Sequence, residues 1–201
     1  MEYKVAQRSE EWFKLRLSKI TGSKISDLMP GPKARTKYTQ TQLSKLMEIA
    51  AENLTGIMVE TPITKAMQWG MDNEDEARQL AEFILGVEIH ECGFFEKNEW
   101  VGASPDGINE SHVFEFKCPG SKKHLSYLLD AQNLIKDYEW QVYMEMLCTG
   151  KDQAYLMSYD PRFKHAEKQY VMVEIQKDQG KMDTLIERIN DCIELLEEWT
   201  K

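Results

Sequence analysis

Gly102-Ala103-Ser104-Pro105-Asp106-Gly107, followed five residues later by Val113-Phe114-Glu115-Phe116-Lys117-Cys118-Pro119, is the stretch around which this chain is organised. Residues 113–117 alternate in polarity, so Val113, Glu115 and Lys117 share one face of a strand and Phe114 and Phe116 the other. The Pro-Asp-Gly turn ends a preceding strand. A hairpin folding back through residues 108–112 brings Asp106 close to Glu115. Two carboxylates and a lysine then converge. Carboxylates at close quarters repel unless a cation lies between them, and hard oxygen ligands suit Mg2+ or Mn2+. A lysine beside such a cluster can hold a nucleophilic water or offset charge on a phosphate.

Pro-Asp followed by Glu-x-Lys resembles the PD-(D/E)xK nuclease signature. A surface hairpin with solvated charges has the same local pattern, so this stretch alone leaves both readings open. The rest of the chain has to choose between them.

With 201 residues the chain is long enough for a sizeable core and is expected to form one domain over 1–201. Its 42% hydrophobic and 29% charged residues are those of a soluble globular protein. No apolar run approaches the ~20 residues of a membrane span, and the first residues lack the apolar segment of a signal peptide. Cys92, Cys118, Cys148 and Cys192 form no CxxC pair, which argues against zinc or a cysteine-held iron–sulfur cluster and fits reduced thiols in a cytoplasm.

A net charge of −9 is unexpected for a nucleic-acid protein, but it is unevenly spread. Residues 1–45 hold ten Lys/Arg and four Asp/Glu, a net of +6, whereas the other 156 hold 15 and 30, a net of −15. A basic N-terminal stretch can attract phosphate even in an acidic chain.

In chain order, Ser9 is placed to cap a short helix from Glu10, with Trp12, Leu15 and Leu17 as its apolar contacts and Arg16 between them. Ser23 is expected to cap a second short helix ending at Leu28. Backbone N–H groups at that helix start, the hydroxyls of Thr21 and Ser23 and the Arg16 guanidinium make a plausible phosphate pocket, with plain capping as the alternative. Residues 31–37 read as a basic loop, either following a DNA backbone or linking two helices. A helix over 42–54 has apolar positions 43, 46, 47, 50 and 54. A longer helix runs from about Thr64 to Leu85, stopped by Gly86, with Ala66, Trp69, Ala77, Leu80, Ala81 and Ile84 as its buried stripe. Of its acids Asp72, Glu74, Asp75 and Glu76, Glu74 is the one phased to face a sheet.

Residues 87–95 have strand composition, 97–99 make a turn, and 100–103 start the next strand. Helices are expected over about 122–134 and 138–148, the second carrying Tyr138, Gln141 and Glu145 on one polar stripe. Strands at 153–159 and 170–175 and an amphipathic helix through Leu196 close the chain. This order predicts an α/β fold, a mixed central sheet with helices on both faces.

Six motifs in this order, spanning most of the chain, carry a closer resemblance: Trp12-Phe13-Lys14-Leu15-Arg16-Leu17 with Ile20-Thr21-Gly22-Ser23; Trp69-Gly70 with Glu74 and Ala77-Arg78; Ser104-Pro105-Asp106-Gly107; Glu115-Phe116-Lys117-Cys118-Pro119; Gln141-Val142; and Tyr159-Asp160-Pro161-Arg162. Together they are similar to the phage lambda exonuclease family of viral recombination nucleases, and that similarity implies a restriction-endonuclease-like PD-(D/E)xK core. It implies that Asp106, Glu115 and the Phe116 carbonyl hold one Mg2+ or Mn2+ ion and Glu74 a second. Lys117 would orient or activate the attacking water, and Gln141 would support that water and the scissile phosphate. Arg16, Thr21, Ser23 and Ser104 would bind a terminal 5′-phosphate, and Lys65 and Met67 would approach the splayed duplex end.

The activity so implied is Mg2+-dependent 5′-to-3′ digestion of double-stranded DNA ends, releasing 5′-mononucleotides and leaving a 3′ single strand for annealing. A ring of three subunits, a single-strand annealing partner and a phage origin, hence the host bacterial cytoplasm, come with the resemblance. A structure-specific endonuclease of the same fold and a non-catalytic DNA-end-binding module are the alternatives. The Arg16/Ser23 pocket argues against the first, and the intact Glu74, Asp106, Glu115 and Lys117 against the second.

Overall fold

The structure, a computed structural model, describes residues 1–31, 36–59 and 62–201. Most of the expected basic loop over 31–37 lies outside the described residues. The chain begins with strand β1 (Glu2–Tyr3), helix α1 (Glu10–Arg16), strand β2 (Ile20–Thr21) and helices α2 (Gly22–Leu28), α3 (Gln40–Thr55) and α4 (Lys65–Leu85). Strands β3 (Phe94–Asn98), β4 (Val101–Ala103), β5 (Gly107–Ile108) and β6 (His112–Lys117) follow. Helices α5 (Ser121–Leu129) and α6 (Gln132–Thr149) cross to β7 (Gln153–Tyr159), then β8 (Tyr170–Gln176) and α7 (Gln179–Thr200). Among the described residues, no helix is long and apolar enough to cross a membrane.

The strands divide into two mixed four-stranded sheets, β1-β3-β4-β2 and β5-β6-β7-β8. β2 runs parallel to β4 and β6 parallel to β7; the other pairings are antiparallel. The break falls at Ser104-Pro105-Asp106, where proline has no N–H to continue a ladder. The alternation over 113–117 sets what each face of β6 touches. Val113 joins Val142, Met144 and Leu156 in a core beneath α6, and Phe114 and Phe116 join Ala77, Ala81 and Met157 in a second core beneath α4. Strand β6 is thus covered on both faces, as expected for an α/β fold.

The helix ends follow local chemistry. Ser9 caps α1, Thr39 and Gln42 form a reciprocal capping box on α3, and Thr64 caps α4. Gly56, Gly86 and Gly150 end α3, α4 and α6 in the left-handed conformation that glycine adopts without steric cost.

Several expected boundaries move. Residues 87–93 are not a strand apart from a single bridge between His90 and Ile108, because their polar groups are taken elsewhere: Ile89 N–H by Glu82 and the Cys92 carbonyl by Gln7. The first long strand therefore starts at Phe94 and its turn falls at Glu99–Trp100. Helix α2 starts two residues earlier than expected. Thr21 is its N-cap and Ser23 lies inside it, since pairing with β4 keeps the backbone extended only through Thr21. The α5–α6 break comes at Asp130–Ala131, earlier than the sequence pattern suggests. In α1 Trp12 and Leu15 are only half-buried. On α4 Ala66 and Ile84 are exposed, the core contacts coming from Trp69, Ala77, Leu80, Ala81 and Leu85. On α3 Met47 (56% exposed) and Leu54 (64%) face outward, while Gln42, Leu46, Ile49, Ala50 and Glu52 are buried.

Candidate active site

The hairpin predicted from Asp106 to Glu115 forms. Gly107 pairs with Phe114 and Ile108 with Val113, which sets Asp106 beside the next residues of β6. Its Oδ2 accepts the Phe116 N–H at 2.8 Å. Glu115, on the same face of β6 as Lys117, is 2% exposed. Lys117 ion-pairs with Glu115 Oε1 and donates to Gln141 Oε1 at 3.0 Å. Gln141, on the facing side of α6, turns its amide nitrogen the other way, to Glu115 Oε1 at 2.6 Å and Glu145 Oε1 at 3.1 Å. The amide therefore meets the lysine with its oxygen and two carboxyl groups with its nitrogen.

The electrostatics follow from crowding acids in a shielded place. Burial, then the charges of Glu115 and Glu74, hold the Asp106 carboxyl well above the usual carboxylate range. Glu145 is raised in the same way, by burial and then by Glu115. Glu74 is raised by burial, an effect that Arg8 opposes. Burial pushes the Lys117 ammonium down, but Glu115 and Asp106 outweigh it and hold the group above its ordinary value, so it stays charged.

A cleft of about 550 Å3 opens onto these groups. Asp106, Glu115, Lys117 and Gln141 line it, with Glu74 from α4 on one side and Arg16, Ser23 and Ser104 on another. The latter are joined through Trp12: its indole N–H donates to Ser104 Oγ at 2.8 Å, and the Arg16 guanidinium lies 4.1 Å from its ring centre. Arg16 donates to Ser23 Oγ at 3.2 Å. Burial lowers the Arg16 guanidinium to about 10, which leaves it cationic at neutral pH.

Two of the sequence candidates are not at the cleft wall. Thr21 is fully buried behind Ser23, its hydroxyl 3.2 Å from Ser23 Oγ, so it supports the pocket from below. Lys65 stands exposed at the first turn of α4, where Ala66 and Met67 border the cleft instead. Of the acids on α4, Asp72 is bonded to Gln68 and Asp75 to Arg78, and Glu74 turns inward.

Sequence reasoning missed Arg8, which ion-pairs with Glu74, and Gln7, which donates to the carbonyls of Cys92 and Pro105 at 3.1 and 2.7 Å. It put Glu145 on the right stripe without giving it a part. Nothing local marks these residues, although a polar residue phased one turn from Gln141 could have flagged Glu145. Arg162 also has a place here: Asp160, fully buried, holds its guanidinium 4.0 Å over the ring of Trp69, on the helix that carries Glu74.

The donor set suits a hard divalent cation. Glu115 Oε2 and Glu145 Oε2 are buried without a hydrogen-bond partner, a costly state that an ion relieves. Among the described residues, no three His, Cys, Asp or Glu side chains are arranged to hold an ion as they stand. Glu74 is engaged by Arg8 instead.

Compared with known proteins, residues 11–152 match the family model described as YqaJ-like viral recombinase domain. No curated protein sequence matches. Among solved structures, the chain is similar to an alkaline exonuclease (LHK-Exo) from Laribacter hongkongensis, with 28% identity over 94% of this chain and 93% of that one and a TM-score of 0.83. The same exonuclease in complex with dAMP gives a TM-score of 0.84 at 28% identity and the same coverage. A phage related exonuclease from Haemophilus somnus 129PT, 19% identical over 90% of this chain and 94% of that one, shares the fold with a TM-score of 0.75.

Proposed function

This chain belongs to the YqaJ-like viral recombinase family, and from that premise we propose that it is a metal-dependent exonuclease digesting double-stranded DNA from 5′ ends. The products are 5′-mononucleotides and a 3′ single strand fit for recombination by annealing. The observation that carries the reading is one cleft with two chemistries: the Asp106/Glu115/Lys117 cluster, and beside it the Arg16/Ser23/Ser104 group.

Asp106, Glu115 and the Phe116 carbonyl are the groups to hold one divalent ion, and Glu74 a second. When bound, Mg2+ or Mn2+ supplies charge neutralisation on the phosphodiester and a more acidic water. Lys117, fixed by Glu115 and Gln141, orients that water and faces the anionic phosphate. Gln141 cannot rotate its amide without losing bonds to Lys117, Glu115 and Glu145 together, so its geometry is set before substrate arrives. The Arg16 fork and the two serine hydroxyls suit a phosphate dianion, and a pocket for the terminal phosphate places the cut one nucleotide in from the end. In the same reading the enzyme works as a ring of three subunits on DNA ends and hands its product to a single-strand annealing protein.

The test uses end-labelled linear duplex and closed circular duplex with Mg2+. Digestion of the linear form only, with labelled mononucleotide released from the 5′ end, is the expected result. Cutting of the circle would point to an endonuclease, and binding without cleavage to an end-binding module. Asp106→Ala should abolish cleavage and retain end binding.

A further inference from the structure

Arg8 is one of two non-glycine residues with positive φ among those described, at φ 68°. For a long side chain the left-handed region is strained, and it persists only where the surroundings impose it. Here they do. Before Arg8, the Gln7 side chain is tied to the Cys92 and Pro105 carbonyls, the second immediately preceding Asp106. After it, Ser9 donates its N–H to the Ala6 carbonyl and caps α1 with its hydroxyl. The short turn is thus pinned on both sides and presents Arg8 into the cleft, against Glu74.

The ion pair does little to explain this strain. Arg8 is 42% and Glu74 24% exposed, and pairs so open to water contribute little to folding. A strained residue held at the mouth of a cleft, paired with the one α4 acid that lines it, has a better explanation in the cleft itself. A carboxylate held by a guanidinium is a poorer ligand for a cation, and a guanidinium displaced from it is free to meet another anion. The anion that this cleft is read to receive is the DNA backbone, whose phosphates accept the planar guanidinium fork.

We propose that Arg8 is an exchangeable counter-charge: it pairs with Glu74 while no cation is held there, and moves to a backbone phosphate of the DNA once a divalent ion takes its place. Metal loading and DNA grip are then coupled through one side chain. This rests on the metal-dependent nuclease reading above.

Two binding measurements test it, neither of them turnover. The first titrates Mn2+ into DNA-free protein, following the free-ion signal by electron paramagnetic resonance. If the pair is formed in most molecules, removing it exposes the weaker ion site, and R8A should bind that Mn2+ about 3–10-fold tighter than wild type. R8G, which also removes the backbone strain, should match R8A in Mn2+ affinity while melting higher, which separates charge from strain; R8K should fall between R8A and wild type. The second measures 5′-phosphorylated duplex binding with Ca2+ and with EDTA. R8A should bind more weakly than wild type with Ca2+, with a salt slope shallower by about 1, and equally in EDTA, where Glu74 holds Arg8. Unchanged Mn2+ affinity in R8A, or an equal loss of DNA affinity with and without the ion, overturns the proposal. If wild type takes up two ions, D106A loses uptake and R8A equals wild type, the Arg8 exchange alone fails. If wild type takes up none, the two-ion reading fails and the exchange with it.

Discussion

Single residues in the cleft are poised against one another, and two can be tested for what their environment does to them. Lys117 is held charged by Glu115 and Asp106 and fixed to Gln141. Lys117→Ala should lower the rate of DNA cleavage by at least ~100-fold, the usual worth of positioning or activating a reacting water, while Mn2+ still binds; single-turnover digestion checks it. Asp106 makes a prediction about stability. Its folded-state carboxyl is raised, so the native protein holds a proton that the unfolded chain releases. Stability from this group is therefore full below the ordinary carboxylate range, at about pH 4, and is lost as pH rises through the raised folded value. In EDTA, Asp106→Asn, which cannot ionise, should melt higher than wild type at pH 8. The gain should shrink as the pH is lowered toward about 4, each kcal/mol appearing as about 2–4 °C. With Mg2+ added the order should reverse, because only wild type gains the full stabilisation of a bound ion. Differential scanning calorimetry across pH, with and without Mg2+, follows both effects.

At the scale of elements, the site is an assembly of ends. β4 stops at Ala103 and delivers Ser104 and Asp106; β6 carries Glu115 and Lys117; α6 faces them with Gln141 and Glu145; α4 brings Glu74. The N-terminal strand is the least obvious contributor. β1 pairs with β3, and the chain following it carries Gln7 and Arg8 into the cleft. Gly93 makes that crossing possible, since a Cβ there would sit 2.0 Å from the Tyr3 carbonyl oxygen and 2.8 Å from the Val5 nitrogen. These are backbone atoms and cannot step aside by changing rotamer. Gly93→Ala should therefore cost about 1–3 kcal/mol, as overpacking does, and should loosen the Gln7 anchor to Pro105. Chemical denaturation should show the loss, and hydrogen exchange should show faster exchange in residues 1–9 than in α7.

For the whole molecule, function depends on where charge and covering surface fall. The chain is acidic overall, yet its basic N-terminal stretch supplies Arg8 and Arg16 to the cleft. The pocket around Arg16 makes the proposed enzyme end-directed, so duplex with 5′-hydroxyl ends should be digested more slowly than 5′-phosphorylated duplex. Arg16→Ala should slow digestion of the phosphorylated substrate and shrink the difference between the two. A time course on both substrates with both proteins, at one fixed salt concentration because phosphate contacts are salt-dependent, decides it. Equal digestion of both ends by wild type, or digestion from 3′ ends, would remove the pocket from the mechanism.

What the amino-acid order determined by itself was local in origin. The caps at Ser9, Thr39 and Thr64, the glycine stops at Gly56, Gly86 and Gly150 and the alternation over 113–117 act within a turn or a strand, where neighbours in sequence are neighbours in space. The Asp106–Glu115 hairpin was legible for the same reason, spanning only ten residues, and the motif order carried the family. What only the tertiary structure decided were facts that join distant elements. The division into two sheets, the outward turn of Met47 and Leu54, and the failure of residues 87–93 to form a strand depend on which surfaces happen to be covered and which polar groups are claimed from afar. The burial of Thr21 behind Ser23, the place of Glu145 beside Gln141, and the pairing of Arg8 with Glu74 across 66 positions are of the same kind. Periodicity sets the phase of each helix and strand, but the partner that meets a given face is chosen by the packing of the whole chain.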